Sequence, residues 1–121
     1  MITTQGLTHL HLYVRDMERS LQFYRSVFGM EEQFWQGDKM VFLSTPGSHD
    51  LITLHLASPD ETTGDLGSVA HFGFGGVGAG QMDEAVRLVE ASGGCLVKRG
   101  QHGPDEVYAY VKDPDGYVIE L

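Results

Sequence analysis

The chain repeats one order of apolar and polar patterns in its two halves. Residues 7–14 (LTHLHLYV) alternate as a half-buried strand does, with Leu10, Leu12 and Val14 on one face. Residues 69–74 (VAHFGF) begin the second half in the same way. Each of these strands is followed by a helical pattern and then by three strand-like runs. The sequence therefore predicts the element order βαβββ twice.

Each predicted helix has an apolar stripe and recognisable end signals. The first follows Asp16, whose side chain can cap the N-terminus, and stops at Gly29, where a left-handed residue is favoured. Its stripe is formed by Met17, Leu21, Tyr24 and Phe28. The second predicted helix, residues 82–92, is ended by a pair of glycines and carries Met82, Val86 and Val89 on one face.

The other strand-like runs are short and separated by turn residues. They are residues 30–36, 39–45 and 50–58 in the first half, and residues 95–99, 107–111 and 117–121 in the second. An Asp-Pro-Asp-Gly turn precedes the last run. The predicted fold class is α+β, as one domain over residues 1–121, with module one at about 5–58 and module two at about 67–121.

Composition excludes several classes of partner. The net charge is −9 with only eight Lys and Arg residues, which argues against a nucleic-acid partner. No apolar stretch approaches the roughly 20 residues that cross a bilayer, so no membrane span is expected. A single cysteine, Cys95, permits no internal disulfide, and a cytoplasmic protein is expected.

The repeat aligns ionisable residues as well as apolar ones. His9 corresponds to His71, and His55 corresponds to Glu120, each on the strand face opposite its main apolar row. If the two sheets face each other, these side chains converge, and imidazole and carboxylate donors of this kind suit a divalent metal ion with open positions. The sequence predicts His9, His71 and Glu120 as metal ligands, with His55 as a further ligand or an adjacent base.

The glycine pattern beside His71 and the second histidine of the first strand are not interpreted as ligand or cofactor sites. The glycine pattern GFGGVG (residues 73–78) follows a strand and precedes a helix, as in a dinucleotide-binding fold, but that fold needs further parallel βαβ units, and only two helices are predicted. These glycines are interpreted as a flexible connection that leaves room beside the strand. His11 shares the face of His9 but corresponds to Gly73, and it is predicted to line the pocket wall.

Several stretches together resemble the vicinal oxygen chelate superfamily. They are HLHLYVRDMERSLQFYRSVFGM, TLHL, AHFGF and DPDGYVIEL. This superfamily groups glyoxalase I, bleomycin-resistance proteins, fosfomycin-resistance transferases and extradiol dioxygenases, and the resemblance covers essentially the whole chain. It implies two βαβββ modules that form a cup-shaped mixed sheet around a metal ion, usually in a homodimer, with ligands at His9, His71 and Glu120.

The resemblance to extradiol dioxygenases is the most detailed. Their signature is matched by His102, Tyr110, Asp113, Pro114, Gly116 and Glu120. It implies an extradiol-type ring-cleaving dioxygenase for a small catecholic substrate, with His55, Tyr110 and His102 as catalytic residues. The implied cofactor is a divalent metal ion, with Fe(II) favoured and Mn, Ni or Zn as alternatives. Ala109 departs from the signature, which usually has a bulkier apolar residue there.

Alternative functions follow from other branches of the same superfamily. A glyoxalase I-like lyase or isomerase would typically have Glu at the position of His55, Arg at that of Tyr13 and Asn near that of Pro59, and all three differ here. A fosfomycin transferase would have a small hydroxyl residue at the position of His11. A non-catalytic drug-binding resistance protein would lack the metal ligands, which are all retained, so an enzyme is favoured.

Overall fold

The computed structural model describes residues 1–3, 5, 7–64, 67 and 69–121. It contains two four-stranded mixed sheets with one α-helix following the first strand of each, so the predicted α+β class and the βαβββ order are confirmed. Residues 6 and 68, which the predicted module boundaries include, lie outside the described residues.

The two sheets have the same topology. The first consists, in spatial order, of β1 (Leu10–Val14), β4 (Ile52–Leu56), β3 (Met40–Ser44) and β2 (Glu31–Gln36). The second consists of β5 (Phe72–Gly73), β8 (Val118–Glu120), β7 (Glu106–Lys112) and β6 (Cys95–Gly103). In each sheet the first two strands of this order are parallel and the other neighbours are antiparallel.

The helices form where the patterns predict them. Helix α1 spans Met17–Phe28; the Asp16 carboxylate accepts a hydrogen bond from the backbone N–H of Arg19 at 3.0 Å, and Gly29 ends the helix with φ 62°. Helix α2 spans Met82–Ala91 and is preceded by one short 3₁₀ turn, Ala79–Gln81.

The strand bounds differ from the predictions, and β4 is shortened from residues 50–58 to Ile52–Leu56. Strand β1 begins at Leu10 rather than residue 7, so His9 precedes it, and β5 is reduced to two residues that begin directly after His71. Strand β5 pairs only with the end of β8, and the glycines that follow have low β propensity. Strand β6 instead continues to Gly103, because it pairs with β7 along the whole hairpin.

The helices cover one face of each sheet, and the ionisable strand residues lie on the other. Leu12, Val14, Leu54, Val111 and Ile119 are almost fully buried and belong to one continuous core. These residues alternate along their strands with His11, Tyr13, His55, Tyr110 and Glu120, none of which belongs to that core. Burial of the apolar row therefore fixes which face the histidines occupy.

The turn before β8 joins the two halves of the molecule. The carboxylate of Asp115 accepts hydrogen bonds from the backbone N–H of Arg15 at 2.8 Å and from the hydroxyl of Ser20 at 3.0 Å. The carboxylate of Asp113 accepts a hydrogen bond from the buried Tyr24 hydroxyl at 2.8 Å. Two residues of the Asp-Pro-Asp-Gly motif thus bind the second half to β1 and α1.

The buried carboxyl of Asp113 should make stability depend on pH. Burial raises its pKa from 3.8 to about 6, although hydrogen bonds from Tyr24 and the Tyr117 backbone act in the opposite direction. The folded chain therefore holds this proton more tightly than the unfolded chain, so the stability it contributes is complete below about pH 4 and is lost as the pH rises through about 6.

Replacing Asp113 with asparagine removes this titration. The amide keeps an oxygen for the two backbone N–H groups of the turn and offers an N–H to the Tyr24 hydroxyl. The free energy of unfolding of Asp113→Asn relative to wild type should therefore rise by about 2 to 3 kcal/mol between pH 4 and pH 7. Urea denaturation of both proteins across this range measures it, and a pH-independent difference would contradict the account of Asp113.

Candidate functional site

The second sheet brings His71 and Glu120 together. Strands β5 and β8 are parallel, and Gly73, two residues after His71, lies opposite Glu120. The Nε2 atom of His71 lies 3.3 Å from a carboxylate oxygen of Glu120, with the side chains 43% and 36% exposed. A Cβ atom on Gly73 would lie 3.2 Å from the Glu120 carbonyl oxygen, which is tighter than almost all such contacts. The glycine therefore allows the two strands to approach beside the pair.

Tyr110 contacts the same carboxylate from β7. It lies directly opposite Glu120 in the antiparallel pair β7–β8, and its hydroxyl lies close to that side chain. Its ring centroid lies 5.1 Å from that of His71. Partial desolvation, followed by the nearby carboxylate of Glu120, raises the pKa of Tyr110, so its hydroxyl is a proton donor at neutral pH.

The first sheet carries a pair of imidazoles on its exposed face. The Nε2 atom of His11 on β1 lies 2.9 Å from the Nδ1 atom of His55 on β4. The ring of Tyr13 lies 5.1 Å from that of His55 and 5.7 Å from that of His11. Burial, the neighbouring His55 and then His9 lower the pKa of His11, which favours the neutral ring that binds metal ions.

His9 lies apart from both pairs. Its Nδ1 atom is 2.8 Å from the hydroxyl oxygen of the adjacent Thr8. It lines a cavity of about 460 Å³, whose other walls include Ile52, Phe72 and Phe74. His9 therefore lies where the beginning of β1 and the short strand β5 share a cavity.

His102 is separated from Glu120 by a row of aromatic rings. Its ring stacks on that of Tyr108 at 4.7 Å, and Tyr108 lies 5.6 Å from Tyr110. The hydroxyl of Tyr108 lies above Gly100, where a Cβ would be only 2.4 Å away. His102, Tyr108 and Glu120 all line a second cavity of about 430 Å³. His102 therefore shares a cavity with Glu120, whereas Tyr110 lies directly beside Glu120.

Of the predicted site residues, His71 and Glu120 form one pair, His55 is paired with His11, and His9 and His102 belong to neither pair. Among the residues that the structure describes, no three His, Cys, Asp or Glu side chains are close enough to hold one metal ion. His71 is paired with Glu120, and His55 is paired with His11, which sequence reasoning placed in the pocket wall. The donors themselves suit Fe(II), Mn, Ni or Zn, since neutral imidazole and carboxylate are ligands that these ions accept.

Two roles were not predicted from the sequence. The contact of His11 with His55 depends on the register between β1 and β4, for which period-two alternation supplies the correct face but not the partner. The structural role of Asp113 and Asp115 was not predicted either, because their partners Tyr24, Ser20 and Arg15 are distant along the chain. No helix within the described ranges is long and apolar enough to cross a membrane.

The repeated βαβββ units, with ligand-type side chains on the face opposite the helices, define a protein of the vicinal oxygen chelate class. Residues 6–121 match the Glyoxalase/Bleomycin resistance protein/Dioxygenase superfamily, and the chain belongs to this superfamily. The predicted family is therefore confirmed over nearly the whole chain.

Relatives of this chain include a protein named as an enzyme, and solved structures share its fold. The chain is 33% identical to a lactoylglutathione lyase of Neisseria meningitidis over 95% of this chain and 88% of that protein. A crystal structure of the fosfomycin resistance protein FosX from Listeria monocytogenes matches 98% of this chain and 93% of its own, with a TM-score of 0.76 and 22% identity. The E126Q mutant of that FosX, crystallised with Mn(II) and 1S,2S-dihydroxypropylphosphonic acid, matches 98% of this chain and 90% of its own, with a TM-score of 0.71 and 22% identity.

Proposed function

We propose that this protein is a divalent-metal-dependent enzyme that acts on a small substrate with two neighbouring oxygen atoms. The observation that carries the proposal is the pairing of His71 with Glu120, with the Tyr110 hydroxyl close to the same carboxylate. A half-exposed contact between an imidazole and a carboxylate contributes only about 0 to 1 kcal/mol to stability even when both groups are charged. The pair therefore contributes little to the fold, and its donors suit a metal ion.

The proposed ligand set combines both sheets. His71 and Glu120 would hold the ion from the second sheet, and imidazoles of the first sheet, for which the sequence predicts His9 and His55, would complete the set. Because one chain presents two separate pairs, we propose that a second copy supplies the other pair in a homodimer. A bound ion would act as a Lewis acid that polarises the oxygen atoms of the substrate.

The first candidate reaction is proton transfer between adjacent carbon atoms, as in a lyase or isomerase. It is supported by the relative named as a lactoylglutathione lyase. Glu120 would take the proton from one carbon and return it to the next, or His55 would do so if His55 is the adjacent base and not a ligand of the ion. The step needs no oxidant, since the proton removed from one carbon is gained by the other and the hydroxyl proton passes to the neighbouring carbonyl oxygen.

The residues near His55 favour a substrate other than a glutathione adduct. Tyr13, whose ring lies 5.1 Å from that of His55, occupies the position at which the resemblance to glyoxalase I implies arginine. A neutral phenol lacks the fixed positive charge with which arginine binds a carboxylate of glutathione. We therefore propose a small hydroxycarbonyl compound, or its adduct with a small thiol, as substrate.

The second candidate is an extradiol-type ring-cleaving dioxygenase for a small catechol. One observation favours it: the protonated hydroxyl of Tyr110 lies beside both His71 and Glu120, where it could donate a hydrogen bond to a catechol oxygen. His55 would serve as the acid–base group, and His102, two rings away, would act at the edge of the substrate.

Tyr110→Phe separates the two candidates, since it removes one hydroxyl and keeps the ring packing. For the lyase-type reaction we expect turnover that does not need oxygen and that changes less than about threefold in Tyr110→Phe. Mn-, Ni- or Zn-loaded enzyme with methylglyoxal and small thiols, assayed with and without air, measures this. Catechol cleavage by Fe(II)-loaded enzyme that requires oxygen and slows at least about tenfold in Tyr110→Phe would instead establish the dioxygenase.

A further inference from the structure

We infer that His11 and Thr53 are positioning residues for His55, joined to it in a chain of hydrogen bonds that runs from Thr53 through His11 to His55. In this chain each imidazole carries its proton on Nδ1, so the Nε2 atom of His55 keeps its lone pair for the site. The inference rests on the proposed function, in which His55 serves as a ligand or as the adjacent base. It adds two residues that touch neither the proposed ion nor the substrate.

The contact between His11 and His55 is a hydrogen bond between two rings. The Nε2 atom of His11 lies 2.9 Å from the Nδ1 atom of His55, so one of these nitrogens carries the shared proton and the other accepts it. In this arrangement neither nitrogen directs a lone pair at a metal ion. His55 therefore has one ring nitrogen left, Nε2, and the position of the shared proton decides whether that nitrogen can take up a proton or bind an ion.

Thr53 carries a buried hydroxyl without a hydrogen-bond partner. The residue is fully buried, and within the described ranges its Oγ1 atom is the only buried side-chain nitrogen or oxygen that lacks a partner. Thr53 alternates along β4 with Ile52 and Leu54, which belong to the core, so its side chain lies on the face that carries His55. A buried hydroxyl without a partner lowers stability, so a partner on that face is expected.

The strand register places His11 beside this hydroxyl. Thr53 lies opposite His11 across the parallel pair β1–β4 and opposite Phe42 across the pair β3–β4. The side chain of Phe42 has no hydrogen-bonding group, whereas His11 has Nδ1, the ring nitrogen that its contact with His55 leaves free. Adjacent strands are about 4.8 Å apart, and His11 is exposed, so a tilt of its ring can bring Nδ1 to the hydroxyl of Thr53.

The chemistry of a neutral imidazole links the two contacts of His11. Burial, and then the neighbouring His55, lower the pKa of His11, so its ring has one N–H and one lone pair at neutral pH. If Nδ1–H of His11 donates to Oγ1 of Thr53, the lone pair of its Nε2 accepts the Nδ1 proton of His55. His55 is then left with a lone pair on Nε2, the form that takes a proton from a substrate or binds an ion.

The tautomers of the imidazoles in metal-free protein test this chain. Long-range proton–nitrogen correlation spectra at slightly alkaline pH distinguish a ring nitrogen that carries a proton from one that carries a lone pair. We expect His11 and His55 each to carry the proton on Nδ1. Thr53→Val keeps the shape of the side chain but removes the hydroxyl, and should turn both rings into mixtures of tautomers, whereas Thr53→Ser should restore the wild-type pattern. Thr8→Val is the matched control, because it removes the hydroxyl beside His9 and should leave the signals of His55 unchanged.

Thermal melting of the same metal-free proteins gives a second signal with a definite sign. Replacing a buried hydroxyl that has no partner by a methyl group is neutral or stabilising, whereas replacing one that accepts from His11 leaves an imidazole N–H without its partner. We therefore expect Thr53→Val to melt at least about 3 °C below wild type. In a His11→Leu background the same substitution should no longer lower Tm.

Two variants of His11 test its own role. His11→Leu removes both ring nitrogens, so the proton of His55 should no longer be fixed on Nδ1. His11→Gln keeps an amide oxygen that can accept this proton, and should retain the wild-type tautomer of His55. In ion-loaded enzyme we expect His11→Leu to turn over at least about tenfold more slowly than His11→Gln.

The outcomes separate this inference from the proposed function, because the chain is measured in metal-free protein. A tautomer of His55 that is the same in wild type, Thr53→Val and His11→Leu would overturn the inference, even if wild type binds Mn(II) through His71 and Glu120. Thr53→Val protein that melts at or above wild type would overturn the part assigned to Thr53. If the chain is present but wild type binds no divalent ion, the proposed function fails and the hydrogen-bond chain stands.

Discussion

Glu120→Gln should weaken divalent-metal binding more than about a hundredfold and abolish turnover with it. Glu120 is the carboxylate of the proposed ligand set, and it lies 3.3 Å from His71 and close to the hydroxyl of Tyr110. Loss of a group that only orients a ligand already costs roughly 10- to 100-fold in affinity, so loss of the anionic ligand should cost more. The glutamine keeps the shape of the side chain, and the position is half-exposed, so the fold should be unaffected.

Glu106→Gln is the matched control for this prediction. Glu106 lines the same cavity as Glu120 and loses the same charge, but it lies at the far end of β7. Calorimetric titration with Mn(II) or Zn(II) should show a large loss for Glu120→Gln and near wild-type affinity for Glu106→Gln. Equal affinities for the two variants would mean that the metal is attracted by the general negative charge of the cavity.

Gly94→Ala should destabilise the fold by at least about 3 kcal/mol, because there is no space for a side chain. A Cβ at this position would lie 2.3 Å from the carbonyl oxygen of Lys112, 2.8 Å from Val89 and 2.9 Å from Phe23. These three groups belong to β7, α2 and α1, so a shift of one of them disturbs the packing of the others. Gly94 therefore matters more for the close packing of β7, α2 and α1 than for ending helix α2.

Thermal melting of metal-free protein measures this effect. A loss of about 3 kcal/mol corresponds to a fall of roughly 10 °C in Tm for a domain of this size. Gly103→Ala is the control, because Gly103 is also in the second half, within β6, and a Cβ there would contact nothing within 4 Å. If Gly94→Ala has the same Tm as Gly103→Ala and wild type, the close packing described around Gly94 is wrong.

The fold was predictable because the capping residues and the apolar alternation agree with the helices and strands to which they belong. Asp16 and Gly29 fix the ends of α1, and the alternation of apolar residues fixes which faces of β1 and β4 are buried. These signals act over a few residues, so they can be read without knowledge of the partner strand. The extents of β5 and β6 were less predictable because they depend on how far the neighbouring strand pairs.

The candidate site was predictable only in part, because it also depends on how neighbouring strands pair. The pair of His71 and Glu120 follows from the repeat and from alternation, and the structure brings the two side chains together. The partner of His55 does not follow from these rules, because a shift of two residues in register keeps every side chain on its face and changes only which residues meet. His11 and His9 are therefore equivalent by pattern and differ only in the folded sheet.

The Asp-Pro-Asp-Gly motif shows how one signature can combine structural and chemical roles. In the sequence it supports a resemblance to extradiol dioxygenases, together with His102 and Tyr110. In the structure Asp113 and Asp115 hold the two halves together through α1, whereas Tyr110 contacts Glu120. A match to the aspartates therefore reports how the two halves of this chain pack, whereas Tyr110 and His102 belong to the proposed chemistry.

Native mass spectrometry of protein saturated with Mn(II) or Co(II) tests the central claim most directly. The proposed site uses His71 and Glu120 of one copy with imidazoles of another, so wild type should appear as a dimer that carries about one ion per chain, and Glu120→Gln as protein without ions. A wild-type protein that binds no ion under these conditions, or that binds it equally well after Glu120→Gln, would contradict the metal site on which the proposed function rests.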